Sequence, residues 1–181
     1  MKLSYEFRRR CEMISTEQRQ LLRLAPYDPL HGEVLAGWHG VMLCEPSNMP
    51  GVTAEEATDL ANRTDWDGIL IPNLPNHAPV ILLRPSVSPP RRQSTIMHEM
   101  AHLLLHHAPL EWNVQLRQFE ARRKLEETEA AYLGGCLQIP HIGLIWAVQA
   151  GLTVRRTALH FNASEHMVKY RADVMRVRLA R

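Results

Sequence analysis

The stretch Thr95–His107 reads Thr-Ile-Met-His-Glu-Met-Ala-His-Leu-Leu-Leu-His-His, and it constrains this chain more than any other. Within it, His98-Glu99-Met100-Ala101-His102 spells H-E-x-x-H. On a helix, residues four apart stand one above the other on the same face, so His98 and His102 can grip one metal ion from one side. Glu99, next to the first ligand, can then reach a metal-bound water as a general base. Ser88 is placed to cap the helix, Pro89 and Pro90 suit a first turn, and Pro109 stops the run. The helix is expected over about 90–107, with Ile96, Met97, Ala101, Leu104 and Leu105 making it a buried one. Zinc in a hydrolase takes three protein ligands and keeps one position open, so a third ligand is required. Two imidazoles and one carboxylate suit zinc.

The 181 residues suffice for one domain with a real core, or for a domain plus a small helical extension. A net charge of +2 is too small to argue for nucleic acid. Cys11, Cys44 and Cys136 are scattered without a C-x-x-C, which points to reduced thiols in a cytoplasmic protein. The start, Met-Lys-Leu-Ser-Tyr-Glu-Phe-Arg-Arg-Arg, has no apolar core of a secretory signal. The richest apolar run, Gly143–Leu152, is too short to span a bilayer, so no membrane segment is expected.

Taken in order, residues 4–24 read as a helix capped at Ser4, with Phe7, Cys11, Ile14, Leu21 and Leu22 along one side. Arg8, Arg9 and Arg10 read as a solvated face. A short helix follows over about 29–37 and a strand over Gly40–Cys44, ended by Pro46 and Pro50. Thr53 and Glu56 form a capping box for a helix over about 54–62. The apolar runs Trp66–Ile71 and Val80–Leu83, joined by the turn-rich segment Pro72–Pro79, predict a hairpin immediately before the metal helix. A strand there can pair with an extended peptide and hold its scissile bond over the metal. It can equally be a structural hairpin.

Beyond Pro109 a helical pattern runs over about 111–138 to Pro140 and carries Glu111, Glu120, Glu126, Glu127 and Glu129. Arg122 and Arg123 stand four residues before Glu126 and Glu127, the spacing of surface salt bridges. Glu129 shares its stripe with Leu125, Leu133 and Cys136 or Leu137, which puts a carboxylate on the buried face. A buried carboxylate is costly unless paired or metal-bound. With Ala130, Ala131, Gly134 and Gly135 allowing close helix approach, the expectation is that this helix packs on the metal helix and carries Glu129 to the zinc.

These residues, His98 to His107 followed by Glu127-Thr-Glu-Ala-Ala-Tyr-Leu-Gly-Gly-Cys-Leu-Gln-Ile-Pro140, resemble the ImmA/IrrE family of zinc metallopeptidases. That family pairs H-E-x-x-H with E-A-N-x-F-A-A-x-L-L-x-P, and the resemblance implies Glu129 as the third ligand. Here Ala131 stands for the family's Asn, Leu133 for Phe, and Gly134-Gly135 for Ala-Ala. Residues 94–140 match specifically and residues 5–84 loosely. The resemblance implies an α+β fold: a minimal zincin-like core over 1–140, mostly helical with a small sheet beside the active-site helix. It also implies a C-terminal helix-turn-helix-like extension over 141–181. The implied substrates are helix-turn-helix repressors, cut to release genes of phage, mobile-element or stress regulons.

In that extension, helices are expected over 141–150, 153–161 and 165–180, with a turn at Asn162 and a cap at Ser164. Arg155, Arg156, Lys169, Arg171, Arg176, Arg178 and Arg181 face only Glu165 and Asp173. They read as a solvated basic pair of helices or a surface for a protein partner, ahead of DNA.

The expected reaction is peptide hydrolysis, with His98, His102 and Glu129 on Zn²⁺ and Glu99 moving the proton from water to the leaving amine. An oxyanion also needs a donor beside the metal. Tyr132, His106 and His141 are candidates, with His107 and His160, and the sequence does not choose among them. His106 and His107 also suit a helix C-terminus, where the dipole favours them. A different reading stays open, a regulatory module with a structural zinc site that sequesters a repressor or binds DNA; an intact Glu99 favours the enzyme.

Overall fold

Local chemistry accounts for most of the element boundaries. The computed structural model describes residues 3–49, 51–71, 78–107 and 116–180, the last of these with side chains from position 123 onward. The start of the expected 111–138 helix, the side chain of Glu120, the interior of the Pro72–Pro79 turn, Pro50, Pro109 and Arg181 lie outside the described residues. Helix α1 (Tyr5–Leu21) begins where the Ser4 side chain accepts the Phe7 N–H at 3.0 Å. After α2 (Gly32–Trp38) come β1 (Met42–Cys44), a short 3₁₀ turn at Pro46–Asn48 and α3 (Ala54–Asn62). The predicted capping box is present: Thr53 Oγ1 accepts the Glu56 N–H, and Glu56 Oε2 accepts the Thr53 N–H at 2.9 Å. Strands β2 (Gly68–Ile71) and β3 (Val80–Leu83) precede α4 (Pro89–Leu104) and α5 (Leu116–Gln138). The chain ends in α6 (His141–Gln149), α7 (Val154–His160) and α8 (Glu165–Met175).

The last helix is shorter than the expected 165–180. Arg176 adopts a left-handed conformation with φ 55°, and the Val177 N–H bonds back to Ala172. The chain then returns along α7, so that Ala180 bridges Thr153 and its N–H reaches Leu152 O at 3.2 Å. Residues 177–180 thus lie outside the helix, which the polar-and-apolar mixture of Val177–Ala180 does not announce.

The fold is therefore α+β, mostly helical with a three-stranded sheet of order β1-β3-β2. β3 is the buried centre, parallel to β1 (Met42 opposite Val80) and antiparallel to β2 (Gly68 opposite Leu83, Ile71 opposite Val80). An uninterrupted Val-Ile-Leu-Leu run is what burial on both faces demands. β2 forms the edge next to α4, tied there by Asp67, which pairs with Arg91 and, at 2.8 Å, with Arg84.

The main core gathers Ile96, Met97, Met100 and Ala101 of α4 against Ala130, Leu133 and Leu137 of α5, with Cys11, Leu35, Ile81 and Leu83 around them. At Gly134 the backbones nearly touch: a Cβ there would lie 3.1 Å from Met97 O and 3.2 Å from His98 Cα. Gly68 of β2 presses on the Thr95 methyl in the same way. Buried Gln93 fixes the other flank, accepting the Gly32 N–H at 2.9 Å and donating to Leu30 O at 2.7 Å. A smaller cluster of Ile139, Leu144, Ala158, Phe161, Val168 and Ala172 joins α6, α7 and α8.

Residues 123–149 are long and apolar enough to cross a bilayer, a longer stretch than the Gly143–Leu152 run. However, 67% of its most apolar window is buried inside the protein, and it breaks at Pro140 between α5 and α6.

The C-terminal end of α5 carries carbonyls with no partner inside the helix. Three buried side chains donate to carbonyls at and just past this end. Ser15 Oγ donates to Cys136 O at 2.7 Å, Arg19 Nη2 to Leu137 O at 2.9 Å, and Arg171 Nε to Ile139 O at 2.9 Å. Arg171 was grouped by sequence with the solvated basic residues, but it is fully buried, paired with Glu12 and packed over the Tyr132 ring. Glu12 Oε2 also accepts the His141 N–H at 2.9 Å, capping the start of α6. Removing one member of such a pair strands the other charge in the core. Glu12→Ala should therefore lower unfolding free energy by about 2–3 kcal/mol, read from the urea midpoint, and Glu12→Ala/Arg171→Met should recover part of that loss. A change below about 0.5 kcal/mol for the single variant would contradict this account of the anchor.

Candidate metal centre

His98 and His102 stand one turn apart on α4, with ring centroids 4.9 Å apart and Nε2 atoms separated by 3.2 Å. The third group comes from α5. Glu127 Oε2 lies 3.1 Å from His98 Nε2, and its Oε1 lies 3.8 Å from His102 Nε2. One donor atom from each of the three residues falls within 4.8 Å of the others. Tetrahedral zinc with bonds of about 2.1 Å separates its ligand atoms by about 3.4 Å, so both the spacing and the donor types fit such an ion. The imidazoles of His102 and His98 hold the Glu127 carboxyl well below the usual carboxylate range. Burial lowers the His98 imidazole, yet its bond to Glu127 and the charge of Glu99 win and raise it.

Glu99 is 9% exposed and points at the sheet edge, where its Oε2 accepts the Leu70 N–H of β2 at 2.9 Å. Burial pushes its carboxyl up, against the pull of His98, His102 and the Leu70 N–H. A carboxylate fixed in direction and raised in pKa beside a His-His-Glu cluster that could hold a metal has the attributes of a general base.

The structure places Glu129 elsewhere. Its Oε2 lies 3.2 Å from His107 Nε2, and His107 stands between it and His102. Leu133, Cys136 and Leu137 of the expected stripe are buried, but Leu125 is exposed and Glu129 only half-buried, and the donor cluster lies at this more accessible part of α5. Glu127 therefore reaches it from a half-exposed position, its side chain 50% accessible. The i,i+4 spacing to Arg123 suggested a surface pair, an interaction worth only a few tenths of a kcal/mol and easily outbid by two imidazoles.

Of the other candidates, Tyr132 is buried in the core, its hydroxyl 3.9 Å from Met175 Sδ and its ring 6.5 Å from Phe7. His141 starts α6, beyond the far end of α5 from Glu127, about 20 Å along the axis. His160 bonds Tyr27 O at 2.9 Å and packs on Trp146. His106 is exposed in a left-handed conformation, φ 55°, which ends α4. None of these four is placed in the donor cluster.

His107 is the residue whose position the sequence reading missed. The His106 N–H bonds Leu103 O at 3.1 Å and the His107 N–H bonds His102 O at 3.0 Å, the pair of bonds that closes a Schellman turn. That turn folds His107 back over His102. Burial, and then the neighbouring His102, hold the His107 imidazole below its usual range. The signal is present as two histidines just past the last helical turn, which the sequence offers as oxyanion donors or as helix-end residues favoured by the dipole, not as partners of a ligand histidine.

A family model for the IrrE N-terminal-like domain, Peptidase_M78, matches residues 56–173, from α3 to α8. Among solved structures, the chain is similar to a Mycobacterium tuberculosis transcriptional regulator, with a TM-score of 0.56 and 14% identity. That similarity covers 94% of this chain and 47% of the other, so this chain spans about half its length. No curated protein sequence matches.

The geometry ranks the carboxylates. Glu127→Ala should weaken zinc binding by at least about two orders of magnitude, and more than Glu129→Ala, in a chelator competition assay. The reverse order would return Glu129 to the metal.

Proposed function

Since the chain belongs to the ImmA/IrrE family of IrrE N-terminal-like peptidases, we propose that it is a zinc-dependent endopeptidase of the cytoplasm. Its substrate in this reading is a helix-turn-helix transcriptional repressor or a similar regulator. The single observation that carries the enzymatic part is the convergence of His98, His102 and Glu127 beside a buried, oriented Glu99.

In this reading His98 Nε2, His102 Nε2 and a Glu127 oxygen hold the ion, and α4, α5 and the sheet form a minimal zincin-like core. Bound zinc supplies Lewis acidity, activating water and polarising the scissile carbonyl. Glu99 accepts the proton of the attacking water and delivers it to the leaving amine. Its bond to Leu70 keeps the carboxylate aimed while it changes charge. β2 is the edge strand beside this group, and an extended peptide laid along that edge would present its carbonyl next to Glu99. A regulator that opens locally around its cleavage site would meet this requirement.

The exposed Arg155, Arg156 and Lys169 on α7 and α8 suit an acidic face of the protein substrate. With Arg171 withdrawn into the core, the basic surface is smaller than its sequence count, and tight DNA binding is not part of the proposal. All three cysteines are free, in keeping with a reducing compartment.

Glu99→Gln separates proteolysis from mere sequestration of a regulator. It keeps size and the bond to Leu70 while removing the basic carboxylate. Zinc content and fold should survive, and cleavage of the helix-turn-helix repressor that serves as substrate should fall by at least about two orders of magnitude. If the variant still cleaves at the wild-type rate, Glu99 is not the base. If it does not cleave yet relieves repression in cells as well as wild type, the protein acts by holding its partner.

A further inference from the structure

We propose that Glu129 and His107 position the metal-binding nitrogen of His102 through two directed hydrogen bonds. The inference rests on the reading of His98, His102 and Glu127 as a metal site. Glu129 Oε2 and His107 Nε2 are 3.2 Å apart, and His107 Nδ1 and His102 Nδ1 are 2.9 Å apart. His102 Nε2 faces His98 Nε2 and Glu127 on the opposite side of its ring.

The atom types allow one assignment for neutral rings. A carboxylate only accepts, so His107 Nε2 must carry the proton and donate to Glu129. A neutral imidazole has one N–H, so His107 Nδ1 is then an acceptor. Only the His102 Nδ1–H can fill it. That leaves the lone pair of His102 on Nε2, the atom that faces Glu127 and His98. Each bond thus fixes the next tautomer, and the chain ends by presenting a ligand lone pair to the cluster. Hydrogen-bonded partners of ligating histidines act in this way on ring orientation and ligand basicity.

The surroundings preserve the chain. The His107 side chain is 8% exposed and that of Glu129 is 22%, so little water can replace either bond. The Schellman turn at His106 ties the backbone of residue 107 to the carbonyl of residue 102, and the His102 and His107 rings meet at 72° with centroids 4.9 Å apart. Backbone and side chain of His107 both act on the same ligand residue. Glu129 is therefore a positioning residue, one imidazole removed from the ligand shell.

Two measurements on the full chain test this. Long-range ¹H–¹⁵N correlations of the imidazoles in the metal-free wild type should show neutral His102 protonated at Nδ1 and neutral His107 at Nε2. A His102 protonated at Nε2 overturns the chain, and this readout needs no variant to fold. Zinc affinity by chelator competition should fall about 10- to 100-fold in His107→Leu. In His107→Gln, whose side-chain oxygen can accept the His102 Nδ1–H, most of that loss should be recovered. Affinity within twofold of wild type for His107→Leu, or no recovery in His107→Gln, overturns the proposal. A wild-type chain that takes up no zinc overturns the metal-site reading instead, and the tautomers still decide the hydrogen-bond chain.

Discussion

Everything in this site depends on how closely the backbone of α5 lies against α4 at Gly134. A Cβ at that position would press on the Met97 carbonyl and the His98 backbone, atoms that cannot swing aside. The contact fixes both the separation and the sliding register of the two helices. Glu127 lies seven residues earlier, two helical turns, and so falls on the same side of α5. The first histidine of the pair and the carboxylate that faces it are thus located by one glycine.

A contact of that kind is useful only if α5 cannot slide, and its far end is where sliding is prevented. Ser15, Arg19 and Arg171 donate to the carbonyls of Cys136, Leu137 and Ile139. Burying two guanidinium groups is expensive in isolation. Here the cost is offset because each meets main-chain carbonyls at the negative end of a helix, and Arg171 also meets Glu12. The charges along α5 are therefore divided: Arg19 and Arg171 close its C-terminal end, and Glu127 and Glu129 meet the imidazoles of His98, His102 and His107 nearer its middle. β2, set at the sheet edge, is bonded to Glu99 through Leu70 and so lies beside the same group of side chains.

Much of this was legible in the sequence because it is written in short-range chemistry. Ser4, Thr53 with Glu56, and Ser164 announce helix starts that the structure places within a residue. The H-E-x-x-H spacing needs nothing but a helix to put His98 and His102 together. The hairpin before α4 follows from two apolar runs around a turn. What was not legible depends on crossing geometry. Glu127 and Glu129 differ by about 200° around α5, and which of them meets the histidines is decided at Gly134, which a stripe of apolar residues does not reveal. Arg19 meets Leu137, 118 residues away, and Arg171 meets Ile139 and Glu12, 32 and 159 residues away, so nothing local in the sequence removes Arg171 from the solvated basic residues. His107 depended on a left-handed residue at His106, which a histidine adopts less readily than glycine.

The central claim is that α5 delivers Glu127 to the metal and keeps Glu129 behind His107. A high-resolution crystal structure of the zinc-loaded chain tests it most directly. The account predicts His98 Nε2 and His102 Nε2 at about 2.0–2.1 Å from the ion and a Glu127 oxygen at about 2.0–2.2 Å, with His107 still between His102 and Glu129. An ion bound by Glu129 or His107, with Glu127 turned to solvent, would contradict it.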